Sequence, residues 1–95
     1  MGEPVNVVVR LKESPIIRHV YAAVYVGQEK VVAQHLYKEG DSFVTTQFEN
    51  TKITVTAKIT PGFKTRRWDM VVKRGAVNTV GGFLYTLEVR NAAFY

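Results

Sequence analysis

The chain lacks cysteine, which excludes disulfide bonds, thiolate chemistry and zinc sites built on cysteine. Its longest unbroken apolar run, at residues 20–26, is far shorter than the roughly 20 residues that a membrane-spanning helix needs. No basic segment followed by a long apolar core opens the sequence, so no signal peptide is expected. The sequence therefore predicts no membrane span and leaves the compartment open.

Motifs for catalysis or ligand binding are also lacking. The two histidines, His19 and His35, have no carboxylate at a typical metal-ligand spacing around them. Ser14 and Ser42 fall in predicted turns, where a hydroxyl commonly bonds to nearby backbone. The glycines of residues 75–82 match no phosphate-binding loop. We therefore expect no enzyme activity, no cofactor and no metal.

What the sequence does contain is the composition of one small folded domain. It has 95 residues, of which 46% are hydrophobic, and this fits a single domain at residues 1–95. A chain of this length buries only roughly 60–65% of the surface that it exposes when unfolded. We therefore expect a thin margin of stability, to which binding partners add.

The clearest periodic stretch is residues 52–60, KITVTAKIT. Its apolar residues, Ile53, Val55, Ala57 and Ile59, alternate strictly with Lys and Thr. A period of two over nine residues predicts a strand with one dry face and one wet face, and β-branched residues suit such a strand. We expect this strand to lie at the centre of a small antiparallel sheet.

Similar alternation recurs along the chain and predicts about seven strands, joined by turns roughly every 8–12 residues. This spacing is typical of an all-β sandwich or barrel. Residues 28–39 also fit a helix that ends at Gly40, although a strand is favoured because no capping residue precedes them. The alternative fold class is therefore α+β with one helix. Residues 75–82 are predicted to form a loop and residues 91–95 a short tail.

The segment GGFLYTLEVRN, at residues 81–91, resembles the late strand of immunoglobulin-like sandwiches. In that strand a tyrosine precedes a buried residue by two positions, and here Tyr85 precedes Leu87. The resemblance implies a small antiparallel β-sandwich that is immunoglobulin-like or related. It implies nothing about activity.

Positive charge is concentrated in the second half of the chain. The first fifty residues carry five Lys or Arg and six Asp or Glu, whereas the remainder carries eight and two. Between residues 58 and 74, Asp69 is the one acid among six cations. Such a cluster is suited to track phosphates, with Phe63 or Trp68 stacking on bases, although the phase of Trp68 favours the core for it. The candidate anion or nucleic-acid contacts are Lys58, Lys64, Arg66, Arg67, Lys73 and Arg74.

Aromatic residues form a second cluster. Tyrosine is enriched at protein interfaces because it combines contact area with a hydrogen-bonding tip. The predicted second strand carries tyrosines on a face opposite its valines, and both of its faces are largely apolar. The candidate protein-interface residues are Tyr21, Tyr25, Tyr37, Phe94 and Tyr95.

Two functions are therefore expected from the sequence. The first is a non-enzymatic structural or interaction module that self-associates or belongs to a larger assembly such as a virion, a filament or a secretion apparatus. The alternative is a small nucleic-acid-binding β protein that uses the basic segment at residues 58–74. The partner is accordingly a protein in the first case and a nucleic acid in the second.

Overall fold

The computed structural model describes residues 2–13, 19–60, 64–82 and 84–93. These residues form eight strands and contain no helix, so none within these ranges is long and apolar enough to cross a membrane. The predicted turns at residues 13–15 and 61–62 fall wholly or partly outside the described ranges. In chain order the strands are β1 (Pro4–Glu13), β2 (His19–Val26), β3 (Glu29–Leu36), β4 (Ser42–Phe48), β5 (Lys52–Thr60), β6 (Arg66–Val71), β7 (Val77–Gly81) and β8 (Thr86–Ala93).

The strands form two antiparallel sheets of four strands each. The first sheet has the order β4-β1-β8-β7 and the second sheet has the order β3-β2-β5-β6. This arrangement confirms the predicted small antiparallel β-sandwich, with eight described strands instead of about seven. In constant-type immunoglobulin domains the first two strands share a sheet, whereas β1 and β2 lie in different sheets here. The likeness to that family therefore lies in the two layers and not in the connectivity.

The core is formed by the facing apolar sides of the two sheets. The strand predicted as central, β5, is paired with β2 on one side and β6 on the other. Its four apolar residues are at most 4% exposed, while Lys52 on its other face is exposed. From the first sheet, β1 contributes a matching row. The fully buried side chains of that row are Val5, Val7, Val9 and Leu11.

Residues 29–36 form a strand, so the helix considered for residues 28–39 is wrong. Gly27 has φ 63° and opens a two-residue turn from β2 to β3, a position at which type II′ turns take glycine. The turn sets up the hairpin, and its pairing satisfies the backbone groups that a helix would have satisfied internally. Helix propensity at single residues is a weak preference and is overridden by such pairing.

A β-bulge in β3 changes which side chains reach the surface. Val24 pairs with Val32 and Tyr25 pairs with Lys30, so Val31 has no partner on β2. Both Val31 and Val32 pack against the core. Because one extra residue reverses the alternation, Lys30 takes the outward position beside Tyr25 that a regular strand would give to Val31.

Two predicted boundaries are corrected near the end of the chain. Residues 75–82 are not a loop throughout, because β7 forms within them and pairs with β8. The sequence does not reveal β7 because the strand is short and lies at the sheet edge, so its alternation of apolar and polar residues is weak. Val80 packs against the core, whereas Val77 is exposed. The predicted tail also continues β8 as far as Ala93, since this segment pairs with β1.

Gly81 makes the tight return from β7 to β8. Its φ is 95°, and a Cβ at this position would lie 2.7 Å from the carbonyl oxygen of Tyr85. Since that neighbour is backbone, a side chain here would force the turn apart. The close approach allows the Gly82 amide to donate a hydrogen bond of 2.8 Å to the same carbonyl.

We expect Ile53→Ala to lower the free energy of unfolding by about 2–5 kcal/mol, because it removes a fully buried side chain and leaves a cavity. Lys52→Ala, one position earlier and on the exposed side, should change it by less than about 0.5 kcal/mol. Urea unfolding followed by far-ultraviolet circular dichroism measures both. Equal effects of the two variants would contradict the assignment of the dry face of β5.

Tyr85 places a hydroxyl group at the edge of the hydrophobic core. The residue is 3% exposed, and its hydroxyl has no hydrogen-bond partner among the described residues. Burial raises the pKa of Tyr85, and the positive charge of nearby Arg66 partly opposes this rise. The Arg66 guanidinium carbon lies 5.1 Å from the Trp68 ring centroid and 6.0 Å from that of Tyr85. Arg66 thus covers both rings at one edge of the sandwich.

The raised pKa of Tyr85 predicts an alkaline loss of stability. The unfolded chain ionises this tyrosine near pH 10, so stability is intact below that pH and falls as the pH rises through the higher folded pKa. Tyr85→Phe should reduce this fall and change stability at neutral pH by less than about 1 kcal/mol, because the lost hydroxyl is unpaired. Urea unfolding at neutral and alkaline pH tests this. A steeper alkaline fall in the variant would contradict it.

Candidate binding faces of the sandwich

The outer face of the second sheet carries most of the exposed aromatic residues that the structure describes, and we call it the tyrosine face. Strand pairing places Tyr21 opposite both His35 and Lys58, and Tyr25 opposite both Lys30 and Thr54. Residues opposite each other in an antiparallel pair lie on the same side of the sheet. The predicted interface residues of β2 and the basic Lys58 of β5 are therefore neighbours on one surface.

Four aromatic side chains touch each other at the end of this face where β3 leaves the sheet. The ring of His35 lies 4.7 Å from that of Tyr21 and 4.9 Å from that of His19, measured between centroids. The ring of Tyr37 lies 4.7 Å from that of His19. Tyr37 is 64% exposed, so the row ends in an open aromatic ring.

The central part of the face carries small residues that are largely covered by their neighbours. Ala23 and Ala33 are paired and point outward between the two tyrosine positions, yet Ala23 is only 1% exposed. Its neighbours on this face are Tyr21 and Tyr25 along β2 and Thr56 across from it on β5.

Lys30 joins this group because of the bulge in β3. Its Nζ donates a hydrogen bond of 3.4 Å to the Tyr21 hydroxyl and lies 5.7 Å from the centroid of that ring. The hydrogen bond to Tyr21 raises the pKa of Lys30, with a smaller contribution from Tyr25. Lys30 therefore carries a positive charge that lies beside both tyrosines.

The predicted basic cluster is divided by the structure. Lys58 and Arg67 lie on the tyrosine face, because Lys58 is paired with Tyr21 and Arg67 with Thr56 of the same wet side of β5. Lys30 and Lys52 add two more cations to that face. Asp69 is the one acid among the described outward residues of these strands, and its Oδ1 accepts a hydrogen bond of 2.6 Å from Thr54.

The remaining members of the predicted cluster lie elsewhere. Lys64 is exposed before β6, and Arg66 packs on Trp68 and Tyr85 as described above. Lys73 donates a hydrogen bond of 2.7 Å to Asn50, and Arg74 lies 3.7 Å from the Glu49 carboxylate. Trp68 packs against the core, as its phase predicted. The six cations do not form one continuous contact surface.

A depression of about 460 Å³ lies at the end of the tyrosine face near the β2–β3 turn. The side chains of its lining residues carry hydroxyls, a carboxamide and a guanidinium, and none of them is a carboxylate or a histidine. Among the described residues, no group of three or more His, Asp or Glu side chains is placed to hold a metal ion. The lining residues are Tyr25, Gly27, Gln28, Thr54, Thr56, Thr65 and Arg67.

The outer face of the first sheet has a different chemistry, and we call it the valine face. Val44, Val8, Arg90 and Val77 lie side by side across all four strands of the sheet. Val44 and Val77 are about half exposed, at 54% and 49%. Phe48, which is 52% exposed, extends the apolar surface along β4.

One carboxylate on the valine face is shared by two arginines. The Glu88 carboxylate lies 3.5 Å from the Arg10 guanidinium and 3.5 Å from that of Arg90, and its side chain is only 10% exposed. Arg10 and Glu88 are direct partners in the β1–β8 ladder. The face therefore presents apolar side chains around an ion group whose carboxylate is already paired.

Sequence reasoning identified the tyrosine face in two separate pieces and missed the valine face. The signal for the latter was present in the outward positions of β1 and β4, where Val8, Val44 and Phe48 interrupt an otherwise polar series. It could not be read as a patch without knowing that β1 and β4 are neighbours. The predicted interface residues Phe94 and Tyr95 lie outside the described residues.

Comparison with known proteins does not assign either face. The chain matches no protein-family model, no curated protein and no solved structure. Function is therefore inferred from the chemistry of these two surfaces.

Proposed function

We propose that this chain is a non-enzymatic structural module that self-associates, or docks as a component of a larger assembly such as a virion, a filament or a secretion apparatus. The valine face is the contact surface in this proposal. The observation that carries it is the apolar surface of this face: Val44 lies beside Val8, and Val77 follows beyond Arg90. Phe48 lies further along β4 and is 52% exposed. Exposed apolar side chains grouped on one face mark interaction sites more often than isolated exposed residues do.

The charges of the valine face favour the burial of this surface. Removing a lone charge from water is unfavourable unless it is paired. Glu88 is already held between Arg10 and Arg90 and is largely buried within the monomer. A partner covering the apolar row therefore does not have to supply a counter-ion for that carboxylate. The two arginines, which are 40% and 57% exposed, remain able to bond at the rim.

A second copy of the chain suits this surface, because a two-fold dimer pairs the same patch from each molecule and apolar rows are self-complementary. Four strands of about seven residues give a face of roughly 20 × 23 Å. This is below the roughly 800 Å² per partner of a stable interface. We therefore expect reversible, concentration-dependent association rather than an obligate dimer.

Val44→Glu should abolish this association, because it replaces an exposed valine of the contact surface by a carboxylate. The matched control is Val71→Glu, which makes the same change at an exposed valine of the opposite, tyrosine face. Sedimentation velocity over a series of protein concentrations measures the effect. The wild-type chain and Val71→Glu are expected to shift to larger species as concentration rises, whereas Val44→Glu stays monomeric.

Circular dichroism and thermal melting establish that both variants are folded, which is expected because both valines are exposed on sheet surfaces. A wild-type chain that remains monomeric throughout would contradict self-association. Loss of association in both variants alike would show that added negative charge, and not the valine face, is responsible.

A further inference from the structure

We propose that the tyrosine face is a second binding surface, separate from the valine face, and that it binds single-stranded nucleic acid. The structure brings together on this face two sets of residues that are distant in sequence. The tyrosines and histidines come from β2, β3 and residue 37, while Lys58 and Arg67 come from β5 and β6. Aromatic platforms combined with cations are the two elements that proteins use to hold unpaired strands.

The charge of the face is complementary to a polyanion. Its described outward residues include four cations and one carboxylate. The carboxylate is Asp69, and the cations are Lys30, Lys52, Lys58 and Arg67. No salt bridge joins any of these four cations to an acid within the described ranges. Unlike the paired arginines of the valine face, these cations are therefore available to contact phosphates. Phosphates supply regularly repeated negative charge and release counter-ions when they bind.

The aromatic groups distinguish a nucleic acid from an acidic protein. Tyr21, His35, His19 and Tyr37 make successive ring contacts, and the row ends in the largely exposed Tyr37. The exposed ring of Tyr37 is accessible to a base. Bases stack on such rings without regard to sequence, because every base has a π-face.

The shape of the face favours a single strand over a duplex. A four-stranded sheet face is too broad to enter the grooves of a double helix, which admit a helix or a two-stranded ribbon. In a duplex the base faces are also occupied by neighbouring base pairs. The depression beside Tyr25 is also lined by Thr56 and Arg67, whose side chains can donate hydrogen bonds to a base or a phosphate. Thr54, which also lines it, already donates its hydroxyl proton to Asp69.

The experiment is a fluorescence-anisotropy titration of the full chain with a labelled oligothymidine of about 12 nucleotides, a length within the range that small β domains cover. The competitors are unlabelled duplex of the same length and polyglutamate of the same total charge. We expect oligothymidine to bind with an affinity that falls steeply with salt, and both competitors to displace it at least about tenfold less effectively than unlabelled oligothymidine.

The decisive comparison uses two double variants that remove the same charge. Lys58→Ala with Arg67→Ala takes two cations from the tyrosine face and should weaken binding about tenfold or more. It should also make the slope of log affinity against log salt shallower by about 1.4, since each phosphate contact on a single strand contributes about 0.7. Lys73→Ala with Arg74→Ala takes two cations from the β6–β7 connection, where they contact Asn50 and Glu49, and should change affinity less than about threefold.

Tyr37→Ala separates stacking from charge. Because Tyr37 is exposed, we expect the variant to stay folded, and thermal melting tests this. We expect it to lower affinity about fivefold or more and to leave the salt slope unchanged, because no charge is removed. Absence of binding at low salt would overturn the proposal. Equal losses in the two double variants, or equal competition by duplex or polyglutamate, would also overturn it, because charge alone would then explain binding. Since the valine face is untouched, none of these results bears on self-association.

Discussion

The structure depends on the burial of two facing rows of β-branched side chains. Along β1 and β5, each inward position carries an apolar residue that is at most 4% exposed. Because successive side chains of a strand point to opposite sides, a dry row on one side determines which residues reach the other. The inner rows therefore hold the two sheets together and at the same time decide which residues form the two outer faces.

The two outer faces differ because the outward-facing side chains of their strands differ in chemistry. The first sheet exposes valines beside a carboxylate already held by two arginines, Arg10 and Arg90. The second sheet exposes aromatic rings in mutual contact beside cations that form no salt bridge within the described ranges. Apolar surface whose neighbouring carboxylate is paired favours contact with a similar surface, whereas aromatic surface with exposed positive charge favours an anionic partner. One small domain thus presents two faces of different chemistry, and for this reason we propose a different partner for each.

A local irregularity is what completes the tyrosine face. Without the bulge at Val31, the position beside Tyr25 would be an exposed valine and Lys30 would point toward the interior side of the sheet. The bulge buries the apolar side chain and delivers the ammonium group to the Tyr21 hydroxyl. The same irregularity therefore serves the core and the surface. Bulges are often found where a side chain must be re-aimed, and this one lies next to the proposed site.

By itself the sequence determined the all-β class and the dry faces of β1 and β5, because strict alternation with a period of two over eight or nine residues fits a strand with one buried side. It left residues 28–39 open between strand and helix, and it missed β7. It also identified Tyr21, Tyr25 and Lys58 as candidates, since exposed aromatic and basic side chains stand out in any alternating strand. Only the tertiary structure decided the strand order, which joins β2 to β5 and so puts tyrosines and cations on one surface. It likewise placed β4 beside β1 and thereby created the valine face. Pairing between strands distant in sequence is set by the packing of the whole domain, so no local pattern contains it.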